Sequence, residues 1–181
     1  MESPRLLRLG DVLTQRTNLL RRGRMARDEG AYKRNANTLF GTGELSSGFF
    51  AFSVTPGGVA VNHDYAVAIG DSRLHFDAGT KLVYTDTGHA VDPASGLPVG
   101  TFNTSGLMVP DSTLNTPFSL ILSSPNITIE SFNLTTFALA SSVTIPAVTG
   151  NPLRLIRWGQ NGLALNTDGG QVYLIGGNFV H

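Results

Sequence analysis

The sequence has no cysteine, which excludes disulfide bonds, thiolate metal ligands and cysteine nucleophiles. Charged residues are scarce, at 14% of the 181 residues, against about a quarter in an average soluble protein. No apolar run reaches the roughly 18 residues of a membrane-spanning helix, so no membrane span is predicted. Residues 1–34 never open an apolar stretch, and no signal peptide is predicted. The surface is expected to carry mainly serine, threonine, asparagine and glycine.

The common catalytic and cofactor motifs are missing as well. There is no G-x-S-x-G turn, no glycine-rich phosphate loop and no acidic calcium loop. His75 and Asp77 form an H-x-D pattern that could begin a metal site, although a strand that runs into a turn explains it more simply. His63 beside Asp64 has no recognisable third ligand. We therefore predict no catalytic residues, no cofactor and no metal site, and an enzyme is not favoured.

A net charge of zero conceals two different pieces. Residues 1–45 carry nine basic and five acidic residues, a net charge of +4, whereas residues 46–181 carry four and eight, a net charge of −4. Leucines recur at helical spacing after Ser3-Pro4, which is a typical helix start. Residues 1–45 are therefore predicted to be a basic helical or poorly ordered extension, with a linker rich in glycine, asparagine and threonine at 28–48.

Three interpretations of the basic segment stay open. A solvated helix or poorly ordered extension is favoured, because arginine-rich helix faces are commonly just solvated. A contact with a surface or with nucleic acid is the second interpretation, and nucleic acid is not favoured as a partner. The third is an open reading frame that begins upstream of a domain starting near Ser46, since the composition changes abruptly there.

Residues 46–181 have the pattern of an all-β domain. Short β-branched or aromatic runs alternate with turns rich in glycine, aspartate and asparagine. The segment Asp77-Ala78-Gly79-Thr80 predicts a hairpin turn, because aspartate accepts local backbone hydrogen bonds and glycine takes a positive φ. The same device returns at Asp168-Gly169-Gly170.

The sequence repeats itself at two related offsets. Shifted by 82 residues, the segment 85–91 falls on 167–173. Shifted by 41 residues, the segment 91–102 falls on 132–143. A period of about 40 to 45 residues, rich in short strands, is the length of one four-stranded β-propeller blade. The repeat therefore predicts propeller blades.

Three stretches resemble a family of bacterial β-propeller repeat proteins. They read D-A-G-T-K-L-V-Y at 77–84, V-D-P-A-S-G-L-P-V-G at 91–100 and R-L-I-R-W-G-Q-N-G-L-A at 154–164. The family is similar to exported or surface propellers, often found beside immunoglobulin-like domains, and it has no assigned activity. The resemblance covers about residues 70–175, the C-terminal blades only. It implies an extracellular or cell-surface location and supplies no catalytic residues.

The residues of this blade motif are candidates for a structural role. They are Phe76, Asp77, Gly79, Asp92, Gly96, Trp158, Gly159, Gly162, Asp168 and Gly170. The 82-residue alignment extends without a gap to Phe76 over Trp158, so both large side chains are expected to pack between neighbouring blades. Gly159 and Gly162 are expected to turn the chain where a side chain would collide.

The predicted fold is all-β: a partial β-propeller of about three four-stranded antiparallel blades over residues 46–181, with a period of about 41 residues. A closed ring needs about four to eight blades, which this length does not provide. An open blade face would expose apolar surface. The predicted partners are therefore the missing blades of a longer chain, or a second copy through self-association, besides any ligand.

Two classes of function compete. The favoured one is a noncatalytic module, a fragment of a larger exported protein, that binds a protein or a glycan. The alternative is part of a propeller lactonase or hydrolase, whose acids or histidines would converge at the central channel. A truncated repeat array without independent function is the third hypothesis. A binding scaffold should place serine, threonine and apolar residues where an enzyme would place acids and histidines.

Overall fold

Four antiparallel sheets follow one another along the chain. The computed structural model describes residues 31–32, 37–42, 48–67, 69–70 and 72–180. In each sheet the strands lie in sequence order, and we call the sheets blades 1 to 4.

Blades 1 to 3 have four strands each, and blade 4 has three. Blade 1 contains β1 (Ala31–Tyr32), β2 (Thr38–Thr42), β3 (Phe49–Thr55) and β4 (Gly58–Tyr65); blade 2 contains β5 (Leu74–Phe76), β6 (Val83–Thr85), β7 (His89–Asp92) and β8 (Leu97–Thr101); blade 3 contains β9 (Leu107–Asp111), β10 (Thr116–Ser123), β11 (Asn126–Phe132) and β12 (Leu139–Ile145); blade 4 contains β13 (Pro152–Trp158), β14 (Gly162–Thr167) and β15 (Val172–Gly176). A 3-10 turn at Asn178–Val180 is the only helical segment in the described part of the chain.

The predicted all-β fold with partial propeller blades is confirmed. The first strands of consecutive blades are neighbours: β1 lies beside β5, β5 beside β9, and β9 beside β13. The other strands of each blade follow outward in order. This arrangement makes the first strands the inner strands of an arc, as in a β-propeller.

The apolar core is divided among the blade interfaces. Between blades 1 and 2, buried Phe40 stacks on Phe49 and Phe76, with ring centroids 5.6 and 5.9 Å apart. Between blades 2 and 3, Phe102 contacts Phe132 in an edge-on arrangement at 5.5 Å. The interface of blades 3 and 4 is the largest cluster, and buried Phe118 belongs to it. Stability therefore depends on neighbouring blades packing face to face.

The structure corrects the predicted linker. Residues 31–32 and 38–42, inside the stretch 28–48, form two strands of blade 1. Phe40 is 4% exposed in the centre of β2, so this segment contributes to the core. The glycine, asparagine and threonine content of the segment indicates a linker, but the burial of Phe40 stabilises a strand there. The helical spacing of leucines after Ser3-Pro4 lies outside the described residues.

The period of 41 residues is an average. The ends of β5 and β9 are 35 residues apart, and the ends of β9 and β13 are 47 residues apart. The offset is kept in the turns that join the third and fourth strands: Asp92 and Asn133, 41 residues apart, both begin such a turn. In both turns the fifth residue has a positive φ, 71° at Gly96 and 60° at Phe137. The repeat is thus conserved in turn geometry more closely than in strand spacing.

Candidate functional site

An open groove lies where the inner strands of blades 2, 3 and 4 begin. It has a volume of about 440 Å³, and we call it the blade-start groove. It is lined by the residues that precede or open the inner strands and by two neighbouring segments of blades 2 and 3: Ser72, Arg73, Asp86, Thr87, Ser105, Gly106, Leu107, Leu120, Leu122, Asn151 and Pro152. In sequence, these residues come from connections between blades, from the β6–β7 turn, from the first residues of β9 and β13, and from β10.

Asp86 joins blade 2 to blade 3 at the wall of the groove. Its Oδ1 lies 2.7 Å from Nε2 of His75 and accepts a 2.8 Å hydrogen bond from the backbone N–H of Met108. Its backbone carbonyl accepts from Gly106 at 2.9 Å. The Asp86 carboxylate is therefore engaged by the protein on both sides of the blade interface.

The other charged group of the groove also has a protein partner. The guanidinium of Arg73 donates to the carbonyl of Leu153, which ties the start of blade 2 to the start of blade 4. Ser72 accepts from the Thr87 backbone N–H at 3.3 Å, and the Thr87 hydroxyl donates to the carbonyl of Ile69 at 2.9 Å. These bonds fix the polar wall of the groove.

Leucines form the apolar part of the groove. Leu120 is 2% exposed, whereas Leu122, two residues further along β10, is 42% exposed. Ser105 is exposed at the rim. On the far side, Asn151 donates through its backbone N–H and its side-chain amide to the two carboxylate oxygens of Asp168, at 2.7 and 2.8 Å. The groove therefore combines an exposed leucine with small uncharged polar groups.

Polar contacts shift the pKa values of two turn aspartates. The hydrogen bond from the Asn151 side chain, together with that from its backbone, lowers the pKa of Asp168 below the ordinary value. The backbone N–H of Ala94 and the hydroxyl of Ser95 lower the pKa of Asp92 in the same direction. Tyr84 lies in the core between blades 2 and 3, and this burial raises its pKa. Its hydroxyl donates to that of Thr80 in the same blade at 3.0 Å.

The two side chains of the H-x-D pattern make separate contacts. His75 pairs with Asp86, whereas Asp77 accepts from the backbone N–H and hydroxyl of Thr80 and from the hydroxyl of Ser112. Asp77 is thus a turn residue that also links blade 2 to blade 3. Among the residues that the structure describes, no three histidine or acidic side chains come together as a metal site would require.

Gly79 and Gly96 lie at close approaches between blades. A Cβ built on Gly79 would overlap the Ser112 side chain, and one built on Gly96 would overlap the ring of Tyr65. The Tyr65 hydroxyl donates to the carbonyl of Ala94 at 3.2 Å, so blade 1 covers the turn of blade 2. These glycines are needed because a neighbouring blade occupies the space of a side chain.

Phe76 and Trp158 do not occupy equivalent places. Phe76 packs against the core between blades 1 and 2, whereas Trp158 is 56% exposed. The physical reason is strand register. Phe76 pairs with Val83, whereas Trp158 pairs with Gly162, and the paired strands of the blade 4 hairpin are longer than those of blade 2. Gly162 lies on the opposite side of β14 from the buried Leu163, so Trp158 points away from blade 3. The ungapped sequence alignment is therefore out of register on the inner strand.

The remaining motif residues lie in turns or at their ends. Gly159 and Gly170 have φ values of 59° and 74° with no atom near a built Cβ, and Gly162 begins β14. Asp86 and Asp168, 82 residues apart, both occupy the turn between the second and third strands. The backbone N–H of each donates to the carbonyl of the residue before the inner strand of its own blade, Arg73 at 3.3 Å and Asn151 at 3.0 Å. Here the offset of the sequence repeat corresponds to the same structural role.

Sequence reasoning missed the ion pair that joins blades 3 and 4. Arg157 Nε lies 2.7 Å from Asp111 Oδ2, both side chains are mostly buried, and the guanidinium lies 5.5 Å from the ring centre of Phe118. Arg157 also donates to the carbonyl of Gly162 at 3.0 Å. Only the rarity of arginine after residue 46 could have indicated it.

The side of blade 4 that faces away from blade 3 forms a second concave surface. Leu155, Leu163 and Leu165 point toward blade 3 and are buried, so the alternate residues of these strands point outward. The outward residues include Ile156, Trp158, Val172 and Leu174, which are 46, 56, 69 and 63% exposed. We call these four residues the blade 4 face.

Comparison with known proteins identifies the fold. No protein-family model matches the sequence, and no curated protein matches it. Apo AztD from Citrobacter koseri is similar in structure, with a TM-score of 0.54 and 11% identity over 84% of this chain and 44% of AztD. Glutaminyl cyclase from Myxococcus xanthus is similar with a TM-score of 0.50 and 13% identity, over 87% of this chain and 76% of the enzyme.

Both neighbours have β-propeller-like folds. At these identities the likeness shows the fold of this chain alone, and the chain spans less than half the length of AztD. The described residues also contain no helix long and apolar enough to cross a bilayer.

Proposed function

We propose that the chain is a noncatalytic β-propeller module that binds a protein or glycan ligand in the blade-start groove. The observation that carries the proposal is the engagement of both charged groups of the groove by the protein itself, Arg73 by the Leu153 carbonyl and Asp86 by Met108 and His75. What the groove presents beside these engaged groups is the exposed side chain of Leu122 and exposed Ser105 at its rim. Such a surface suits an uncharged extended segment.

The location of the groove supports the same proposal. Connections between blades form much of it, and binding residues are commonly presented by loops on a rigid scaffold. Its polar side chains are fixed by hydrogen bonds within and between blades, so little ordering is required when a ligand binds. We further propose that the module acts outside the cytoplasm as a fragment of a larger exported protein, as the sequence resemblance implies.

The proposal is tested by screening the purified chain on arrays of glycans and of neutral peptides. The strongest hits are then measured by titration calorimetry with a groove variant, Leu122→Asp, which places a charge among the apolar lining residues. We expect at least a tenfold loss of affinity. The matched control is Leu139→Asp, whose leucine is 55% exposed on β12 and does not line the groove. Equal losses in both variants would contradict binding in this groove.

An enzyme of the propeller hydrolase kind is the second candidate, and one observation favours it. His75 and Asp86 form a 2.7 Å pair beside the groove, the arrangement in which a carboxylate orients a histidine base. A panel of lactones and activated esters tests this candidate, with His75→Gln as the variant. Turnover by the unchanged chain that His75→Gln abolishes, in a variant that still folds, would favour the enzyme over the binding module.

A further inference from the structure

The second strand of blade 3 continues past the beginning of its inner strand. Leu120 pairs with Leu107, the first residue of β9, and β10 then continues for three residues, 121–123, whose strand partners in the described part of the chain belong to β11. In blades 2 and 4 the second strand ends where the inner strand begins, because its last residue, Thr85 or Thr167, pairs with the first residue of β5 or β13. Blade 3 therefore has a strand end that blades 2 and 4 lack.

The backbone of Leu122 points into the blade-start groove. The carbonyl oxygen of Leu120 lies toward Gly106, the residue before β9, since a Cβ built on Gly106 would overlap it. In an antiparallel strand the N–H and C=O of one residue point to the same side, and residues two apart share that side. The N–H and C=O of Leu122 therefore point inward, beyond the start of β9, and Leu122 lines the groove.

The turn at the end of β10 gives the same orientation. Ser123 pairs with Asn126 across a two-residue turn, so the hydrogen bonds that close the hairpin run from Ser123 toward β11. Ile121 shares that direction, and Leu122 between them points the other way. Among the residues that the structure describes, no group bonds to the N–H or C=O of Leu122. An unpaired donor and acceptor on a strand edge can pair with another chain.

We propose that the blade-start groove binds an extended peptide, one residue of which exchanges both backbone hydrogen bonds with Leu122. This inference rests on the proposed function and names the class of its ligand. A peptide backbone carries an N–H and a C=O at the spacing that Leu122 presents, so pairing continues the ladder between β10 and β9. The hydroxyl groups of a glycan have no such fixed pairing.

The side chain of the paired peptide residue should be apolar. Opposite residues of a hydrogen-bonded pair place their side chains on the same face of the sheet. Leu122 is on the face of β10 that carries Phe118 and Leu120 and packs against blade 4, and its side chain is 42% exposed. Pro152, at the start of β13, lines the same groove. A leucine opposite Leu122 would therefore add to this apolar part of the groove.

Hydrogen exchange of the free chain tests the orientation of Leu122 without a ligand. The amide of Leu122 should exchange with deuterium at least about tenfold faster than that of Ile121, whose N–H bonds to β11. Slow exchange at Leu122 would show that another part of the chain already occupies this edge, and it would overturn the proposal.

Binding is measured by NMR titration with capped, uncharged pentapeptides, acetyl-Ser-Thr-X-Thr-Ser-amide. We expect the peptide in which X is leucine to bind with a dissociation constant of about 1 mM or less and to slow the exchange of the Leu122 amide. N-methylleucine at X removes the N–H that would donate to the Leu122 carbonyl, and it should weaken binding by at least about fivefold. Serine at X should also bind more weakly, because it lacks the apolar side chain.

Two matched variants separate the backbone of residue 122 from its side chain. Leu122→Pro removes the N–H, whereas Leu122→Val keeps it beside a side chain of similar size. Leu122→Pro should bind the leucine peptide at least about fivefold more weakly than Leu122→Val. It should still fold, because the missing N–H belongs to no bond of the sheet, and Ile121→Pro should lower the melting temperature much more.

Four further results would overturn peptide pairing at Leu122. They are no binding of the leucine peptide at about 1 mM, equal affinities for the leucine and N-methylleucine peptides, equal affinities of Leu122→Pro and Leu122→Val, and glycans as the only ligands that Leu122→Asp weakens. The last result would leave binding in the groove standing and remove only its peptide mode, so the two proposals can fail separately.

Discussion

Single glycines determine how closely the blades approach one another. The turn at Gly96 lies under the ring of Tyr65 from blade 1, and its backbone has a φ of 71°. A side chain at this position meets both a steric overlap and an unfavourable backbone conformation. The interface between blades 1 and 2 therefore depends on the absence of one methyl group.

Gly96→Ala should destabilise the chain by about 3 kcal/mol, because the added Cβ displaces Tyr65 as well as straining the backbone. Gly170→Ala is the matched control, since its φ is 74° but no atom lies within 4 Å of a built Cβ. The control should lose only about 1 kcal/mol, the backbone share of the effect. Urea unfolding of both variants measures the difference, and equal losses would show that Tyr65 yields without cost.

Asp168 should make the stability depend on acid pH. Its pKa is lowered in the folded chain by the hydrogen bond from Asn151, so the ionised form favours folding. This contribution is present at neutral pH and is lost as the pH falls through the lowered pKa, below about pH 4. The melting temperature of Asp168→Asn should therefore fall less steeply than that of the unchanged chain between pH 5 and 3.

Asn151→Ala provides the companion measurement, because it removes the side-chain donor and keeps the carboxylate. The melting temperature of this variant should also fall less steeply than that of the unchanged chain between pH 5 and 3. The effect should be smaller than for Asp168→Asn, since the backbone N–H of residue 151 still donates to Asp168. If the melting temperatures of both variants fell with pH as steeply as that of the unchanged chain, other carboxylates would be responsible for the loss of stability in acid.

Among the elements, the inner strand of blade 4 is joined to blade 3 by a mostly buried ion pair. Arg157 on β13 meets Asp111 at the end of β9, and Asp111 also accepts from the backbone N–H of Thr113 at 3.0 Å. Removing the arginine would leave a half-satisfied carboxylate in the interface. Leaving a buried charge unpaired costs more free energy than the intact ion pair contributes to stability.

Arg157→Met should lower the free energy of unfolding by about 2 kcal/mol. Arg154→Met is the control on the same strand, because Arg154 is exposed. The double variant Asp111→Asn with Arg157→Met should recover part of the loss, since no unpaired charge stays behind. If Arg154→Met and Arg157→Met were equally stable, the interface would not depend on this pair.

Strand content and turn chemistry were predictable from the sequence, and strand register was not. Aspartate and asparagine begin the turns at 77, 92 and 133 because their side chains bond to nearby backbone N–H groups, a purely local interaction. Whether Trp158 faces a neighbouring blade depends on which residue of β14 it pairs with, and a shift of one residue reverses the side. The contact between Asp86 and Met108 was not predictable for the same reason, because it depends on how segments distant in sequence pack together.

At the scale of the molecule, the blade is the unit and the interface between blades is the source of stability. β2 illustrates this, since Thr38–Thr42 has little apolar content of its own and is held by Phe40 between Phe49 and Phe76. A boundary drawn at residue 45 from charge and composition therefore cuts through blade 1. The limits of a blade are set by which strands pair with each other, and amino-acid composition does not reveal that pairing.

A chain that begins at residue 46 should unfold at a lower temperature than one that begins at residue 31. The shorter chain lacks Phe40 and two of the four strands of blade 1, which exposes Phe49 and Phe76. Calorimetry of the two truncated chains provides the comparison, with Phe40→Ala in the longer one as an intermediate case. Equal transition temperatures would show that blade 1 contributes nothing to the stability of blade 2.

The order of strands within each blade also governs how the chain acquires its fold. Every strand is paired only with strands adjacent in sequence, so each sheet can close within about 40 residues of emerging chain, a few seconds of synthesis. Each finished sheet then presents an apolar side on which the following sheet can settle, as Phe118 and Leu120 do for β13 and β14. This pairing order allows the fold to form by successive local closures along the direction of translation, with each finished sheet providing the surface on which the next one packs.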